Sequence, residues 1–128
     1  MSPTNEIKPY TITFEQTPKM LRVKVVGNND SYAISMAYWR EIAEECKRLG
    51  TVRLLVEEDI PEAVSFSEMY SLASELPELV HGISIAFVDR YADQMELNSF
   101  GELVAQNRGV TGRFFAEASD AEAWLLNR

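Results

Sequence analysis

The two residues best suited to nucleophilic or zinc chemistry, Cys46 and His81, each occur once in the chain. A Cys–His pair works only when the two side chains are in hydrogen-bond contact, so that the imidazole holds the sulfur as a thiolate. Cys46 falls on the inward stripe of an amphipathic helix, where a thiol behaves as a small hydrophobe, and His81 stands beside Gly82 in a loop. A zinc site needs three or four clustered ligands, and the sequence offers none. There is no Walker-type or G-x-G-x-x-G run, so the backbone cradle that holds nucleotide phosphates is missing. We expect no catalytic residue, no metal and no cofactor.

Carboxylates are the uneven feature. In a parallel sheet, ligands gather beyond the carboxyl ends of the strands. The loops of that edge are expected to carry Asp30, Glu57, Glu58, Asp59, Glu62, Asp89, Asp93, Glu117 and Asp120, with Arg90 as the main opposing charge. Asp30, Glu57, Glu58, Asp59, Asp89 and Asp93 are the candidate face for a basic partner or a weakly held hard cation. The same carboxylates also suit helix N-termini, where capping and the macrodipole favour them. Ile34 and Tyr38 fall off the apolar stripe of the first helix, one turn apart, and are expected at the surface as a partner or dimer patch.

The elements that must position these groups follow from periodicity. Residues 1–9 are polar, contain Pro3 and Pro9, and read as a flexible N-terminal arm before a domain over 10–128. Tyr10, Ile12 and Phe14 alternate with polar residues, as do Leu21, Val23 and Val25, giving two strands close enough to form a hairpin. Asp30 or Ser31 caps a helix whose core stripe is Met36, Trp39, Ile42, Ala43, Cys46 and Leu49, closed by Gly50. Val52 to Val56 is a buried strand. Ser65 and Glu68 have capping-box spacing ahead of a helix expected to bury Phe66, Met69, Tyr70, Ala73 and Leu76. Ile83 to Val88 is a second buried strand. Met95, Phe100, Leu103 and Val104 mark a third helix, Arg113 to Phe115 a last strand, and Ser119 with Glu122 a box opening a helix that buries Ala121, Trp124 and Leu125. The order is β-β-α-β-α-β-α-β-α: one α/β domain with a mixed, mostly parallel five-stranded sheet.

At 128 residues, 46% hydrophobic and 25% charged, the chain suits one globular domain. Twenty Asp and Glu against twelve Lys and Arg leave a formal charge of −8. That charge disfavours nucleic acid, whose phosphates need basic partners, and anionic membrane surfaces. No apolar run is long enough to span a bilayer, and no signal-type pattern opens the chain. A single cysteine fits a reducing, cytoplasmic setting.

The element order over 10–128 resembles that of the STAS domain. The residues ISIAFV at 83–88, FGELVAQNRG at 100–109, Phe114-Phe115 and SDAEAWLL at 119–126 are more closely similar to the SpoIIAA-like group, described alongside lipid-binding Sec14-type domains. The resemblance implies a bacterial regulatory or binding domain. In STAS antagonists a Ser or Thr at the start of the helix after the third strand is phosphorylated, and Ser65 and Ser67 hold the nearest positions. The compact Asp-Ser-Ser-Gly-type turn is absent. With Glu57, Glu58, Asp59, Glu62 and Glu68 around it and no Lys or Arg nearby in sequence, Ser65 is expected to cap rather than switch. The expected function is a non-catalytic module for protein–protein interaction or homodimerisation; the alternative is a carrier of a small apolar or lipid-like ligand.

Overall fold

The computed structural model describes residues 8–128. The elements run β1 (Tyr10–Gln16), β2 (Leu21–Gly27), α1 (Tyr32–Leu49), β3 (Arg53–Asp59), α2 (Phe66–Leu79), β4 (Ser84–Asp89), a 3₁₀ turn at Ala92–Gln94, α3 (Met95–Asn107), β5 (Thr111–Phe115) and α4 (Ala118–Leu126). The expected N-terminal arm lies outside the described residues except for Lys8 and Pro9. The Lys8 ammonium pairs with Glu41 on α1 at 2.9 Å.

The strands lie in the order β1-β2-β3-β4-β5, β1 antiparallel to β2 and every later pair parallel. Always stepping the same way through right-handed crossovers puts α1, α2 and α3 on one face. The alternation of strand side chains then feeds two cores. Leu54, Val56 and Ile85 pack with Tyr38, Trp39, Ile42 and Cys46 of α1. Leu55, Ala86 and Val88 face the other way, onto Ala121 and Leu125 of α4. Leu54, Leu55 and Val56 are all fully buried, each contributing about 1.5–3 kcal/mol relative to an exposed side chain. Among the described residues, no helix is long and apolar enough to cross a membrane.

Several sequence expectations need correction. β3 continues to Asp59, so Glu57, Glu58 and Asp59 are strand residues rather than loop residues, and β5 begins at Thr111. Parallel partners on both sides, β2 and β4, outweigh the low strand propensity of the acidic run. α2 and α3 are each rotated from the expected face. α2 buries Leu72 and Ala73 and leaves Phe66 and Tyr70 about half exposed; α3 buries Leu97, Gly101, Val104 and Ala105 and leaves Met95 and Leu103 outside. The helix-to-helix seam prefers small residues that allow close approach, and a Cβ on Gly101 would lie 2.5 Å from the Met69 sulfur. Ser119 and Glu122 form no capping box, because α4 starts two residues earlier than that box requires, with Glu117 at its cap position. Glu122 pairs with Arg22 on β2 instead. Trp124 is half buried, its ring tilted at 52° against Phe115 and covered by the Arg128 guanidinium.

Candidate functional site

A cavity of about 110 Å³ lies between the sheet and the α1–α3 layer. Its walls are mainly apolar: Trp39 from α1, Leu72 and Leu76 from α2, Phe87 from β4, Leu97 from α3 and Phe114 from β5. Trp39 and Phe87 stack at 6.4 Å between ring centroids, which fixes one wall.

One end of the cavity is polar, and the fold's own geometry makes it so. Glu58 on β3 and Asp89 on β4 are register partners at the carboxyl ends of adjacent parallel strands. Both point to the helix-covered face, two residues beyond Val56 and Phe87. Asp30 joins them from the loop after β2. That loop is tied to the one after β3 by the Asp30 amide donating to the Glu62 carbonyl at 2.9 Å. Asp30 accepts from the Ser31 amide and from the Ser35 hydroxyl, each at 2.8 Å. The Tyr38 hydroxyl donates to Glu58. From α3, the Asn98 amide donates to Asp89 at 2.9 Å, and from the 3₁₀ turn before it the Gln94 amide donates to the carbonyls of Ile60 and Pro61 at 3.0 and 2.9 Å.

Removal from water, with the Asp30 charge beside it, pushes the Glu58 carboxyl up to about 8. Burial also raises Asp30, against the hydrogen bonds from Ser35 and Ser31 that favour its charged form. The two carboxyls are close enough to share a proton. Asp89 is raised by the same desolvation, opposed by the Tyr91 amide and Asn98. The Tyr38 hydroxyl is held protonated far above its ordinary range by burial and the carboxylates. Near neutral pH the cluster thus carries a proton that exposed carboxyls would have lost.

The six residues of the expected acidic face do not form one exposed edge. Asp30, Glu58 and Asp89 turn inward, with Asp89 only 1% exposed. Glu57 points to the opposite face, 3.7 Å from Arg22. Asp59 accepts from the Tyr91 hydroxyl at 2.6 Å and from Arg90 at 3.0 Å, which keeps its carboxyl below the ordinary range. Asp93 stands exposed in the 3₁₀ turn. Among the described residues, no group of three or more His, Cys, Asp or Glu is placed to hold a metal ion. Tyr38, expected at the surface, is 1% exposed: its ring meets Tyr10 edge-on at 5.7 Å, and its hydroxyl is spent on Glu58. The Ile34–Tyr38 patch therefore does not exist.

Ser65 and Ser67 are exposed at the start of α2. The Ser65 hydroxyl accepts from the Glu68 amide at 3.1 Å, and Glu68 accepts from the Ser65 amide at 3.0 Å. The other Glu68 oxygen accepts from the Tyr32 amide at 3.0 Å, so one side chain closes the first turns of both α1 and α2. Burial pushes the Cys46 thiol up to about 11, unsuited to a nucleophile, and His81 is exposed in the α2–β4 turn. Gln94 and Asn98, one helical turn apart, and Ser35 were not foreseen. Their only sequence signal is a polar residue set within an apolar helical stripe.

A solved structure is similar across nearly the whole chain: an uncharacterised protein of the DUF3478 family with a SpoIIAA-like fold from Shewanella loihica PV-4. The match has a TM-score of 0.54 and 15% sequence identity, covering 97% of this chain and 99% of that one. No family model matches the chain, and no curated protein matches it. The chain has a SpoIIAA-like fold.

Proposed function

We propose that the domain is a non-catalytic binding module that holds a small, mainly apolar ligand between its sheet and the α1–α3 layer. The cavity of about 110 Å³ supports this reading most directly. An occupant that fills a space of that size recovers on the order of 2–3 kcal/mol of packing, at about 24 cal/mol per Å³. An apolar wall with a few convergent polar groups at one end is the usual form of a small-molecule site. The sequence ranks protein interaction first, but that ranking leaned on Tyr38, Glu58 and Asp89 as surface residues, and all three are buried. The lone buried thiol at Cys46 suits the cytoplasmic setting we assign to the protein.

Phe66, Tyr70 and Leu103 favour a second reading. Each is exposed by about half or more on the outer side of α2 and α3, where a protein partner or second copy could cover them. Native mass spectrometry of the freshly purified protein separates the two. Protein carrying a bound small-molecule mass, lost in a Leu72→Trp variant that fills the cavity, is the expected outcome. A ligand-free dimer, dissociated by Phe66→Ser, would replace the carrier with the interaction module.

A further inference from the structure

The polar end of the cavity has spent its hydrogen-bond donors on the protein and kept its acceptors. The Tyr38 hydroxyl and the Ser35 hydroxyl donate to Glu58 and Asp30. Gln94 lies between two backbone carbonyls, so its NH₂ must face them, and Asn98 faces the Asp89 carboxylate, which can only accept from its NH₂. The amide carbonyl oxygens are what each side chain has left. Among the described residues, no hydrogen bond reaches the Gln94 Oε1 or the Asn98 Oδ1. These residues line the cavity and are only 4% and 6% exposed. Among the described residues, no buried side-chain nitrogen or oxygen lacks a partner, so these two oxygens keep accessible surface and are free to accept from a donor that enters the cavity.

The charges point the same way. Glu58 and Asp30 line this end, and Asp89 stands beside Glu58 in register. Among the described residues, Arg113 is the one basic side chain lining the cavity, and it lies on the β5 side. Resting on the reading of the cavity as a ligand site, we propose that its ligand is an amine: a primary ammonium head on an apolar body of roughly ten or fewer non-hydrogen atoms. An engineered cavity of about 150 Å³ takes benzene, which sets that size. The ammonium donates three hydrogen bonds, to the Glu58 and Asp30 carboxylates and to the Gln94 or Asn98 carbonyl, while the body lies against Trp39, Leu72 and Phe87. The ligand enters as R–NH₃⁺, and Glu58 gives up its proton to solvent as the ammonium takes that proton's place between the two carboxylates. A carboxylate or phosphate head is repelled.

Binding is then linked to pH. Glu58 is faced by Tyr38 from α1, by Asp30 from the loop after β2 and by Asp89 from β4. Its β2 neighbour Val25 is apolar, α2 offers Met69 and Leu72, and the 3₁₀ turn and α3 offer the uncharged Gln94 and Asn98. Below about pH 8 each amine bound must expel a proton, so affinity rises up to about tenfold per pH unit until Glu58 ionises by itself. An alkylammonium stays charged over that range, as a Lys side chain does.

The test is isothermal titration calorimetry with 1-hexylamine, 1-hexanol and hexanoate at pH 6, 7 and 8. We expect hexylamine to bind more tightly than hexanol at pH 8, by tenfold or more. Its affinity should rise with pH and its proton release should show in buffers of different ionisation heat. Hexanol should be nearly flat with pH and hexanoate weakest. Glu58→Gln should abolish the amine preference and the proton release while hexanol still binds; Asp30→Asn is the second variant should the first fold poorly. Equal, pH-independent binding of amine and alcohol would overturn the amine head and leave the carrier standing, as would preference for hexanoate. Failure of all three probes to bind would overturn both.

Discussion

Replacing Glu58 by Gln should stabilise the protein, and only at the pH where the native carboxyl resists ionisation. The folded carboxyl titrates near 8 against an ordinary value of 4.5. At pH 4 it is protonated in both the folded and unfolded chains and contributes no difference. As pH rises from 4.5 to 8 the unfolded chain ionises while the native site stays neutral, so stability falls by about 1.4 kcal/mol per unit. The whole interval amounts to about 5 kcal/mol. Because Asp30 takes part in holding the same proton, Glu58 alone accounts for less than the whole interval, on the order of 2–3 kcal/mol. A Gln there accepts from the Tyr38 hydroxyl through its carbonyl and donates to Asp30 through its NH₂, as the protonated carboxyl does. The variant should therefore gain about 2–3 kcal/mol at pH 8, roughly 6–12 °C in Tm for a domain of this size. It should lie within about 1 kcal/mol of the parent at pH 4.5. Urea unfolding followed by the fluorescence of Trp39 and Trp124, at half-unit steps from pH 4.5 to 8.5, gives both numbers. A Glu58→Gln protein that is less stable at pH 8, or that keeps the parent's pH slope, would refute the buried shared proton.

Other substitutions test the frame around the cavity. Ser65→Ala should cost about 1 kcal/mol in urea melts through loss of the capping box. Ser65→Asp should be close to neutral, and intact-mass analysis of protein from its own cells should find no phosphate on Ser65 or Ser67. Gly101→Ala should cost about 1–2 kcal/mol by pressing a methyl into Met69, and the loss should shrink in a Met69→Ala background, read from a double-mutant cycle. Trp124→Ala should cost about 2 kcal/mol by thermal melting. That is less than the 3–5 kcal/mol of a fully buried Trp, because the ring is only partly buried against the core beneath α4.

The element order was legible because each helix and strand carries its own period and its own punctuation: Ser31 and Gly50 around α1, and the Ser65–Glu68 box before α2. The faces of α2 and α3 were not legible. Phe66, Tyr70 and Leu103 are the bulky apolar residues a stripe is drawn through, yet a close helix seam selects Ala73, Gly101 and Ala105 and turns the large side chains outward. The acidic cluster was found and its location misread. Glu57, Glu58 and Asp59 read as loop because carboxylates disfavour strands, and alternation in the extended strand then sends Glu58 inward and Glu57 out. Gln94 and Asn98 escaped notice because their role depends on which partners the fold places opposite their NH₂ groups, a fact of tertiary structure. Tyr38 shows the same limit: α1 is covered by the sheet on one side and by α2 on another, so its buried arc is wider than one stripe.

The central claim is that the space between the sheet and α1–α3 receives a small apolar molecule. Its most direct test is a titration of ¹⁵N-labelled protein with 1-hexanol at pH 6.5, followed by two-dimensional amide NMR. Saturable shifts at Tyr38, Leu72, Phe87, Leu97 and Gly112, converging on one dissociation constant, are the predicted result. Shifts confined to the surface around Phe66, Tyr70 and Leu103, or none that saturate, would contradict it.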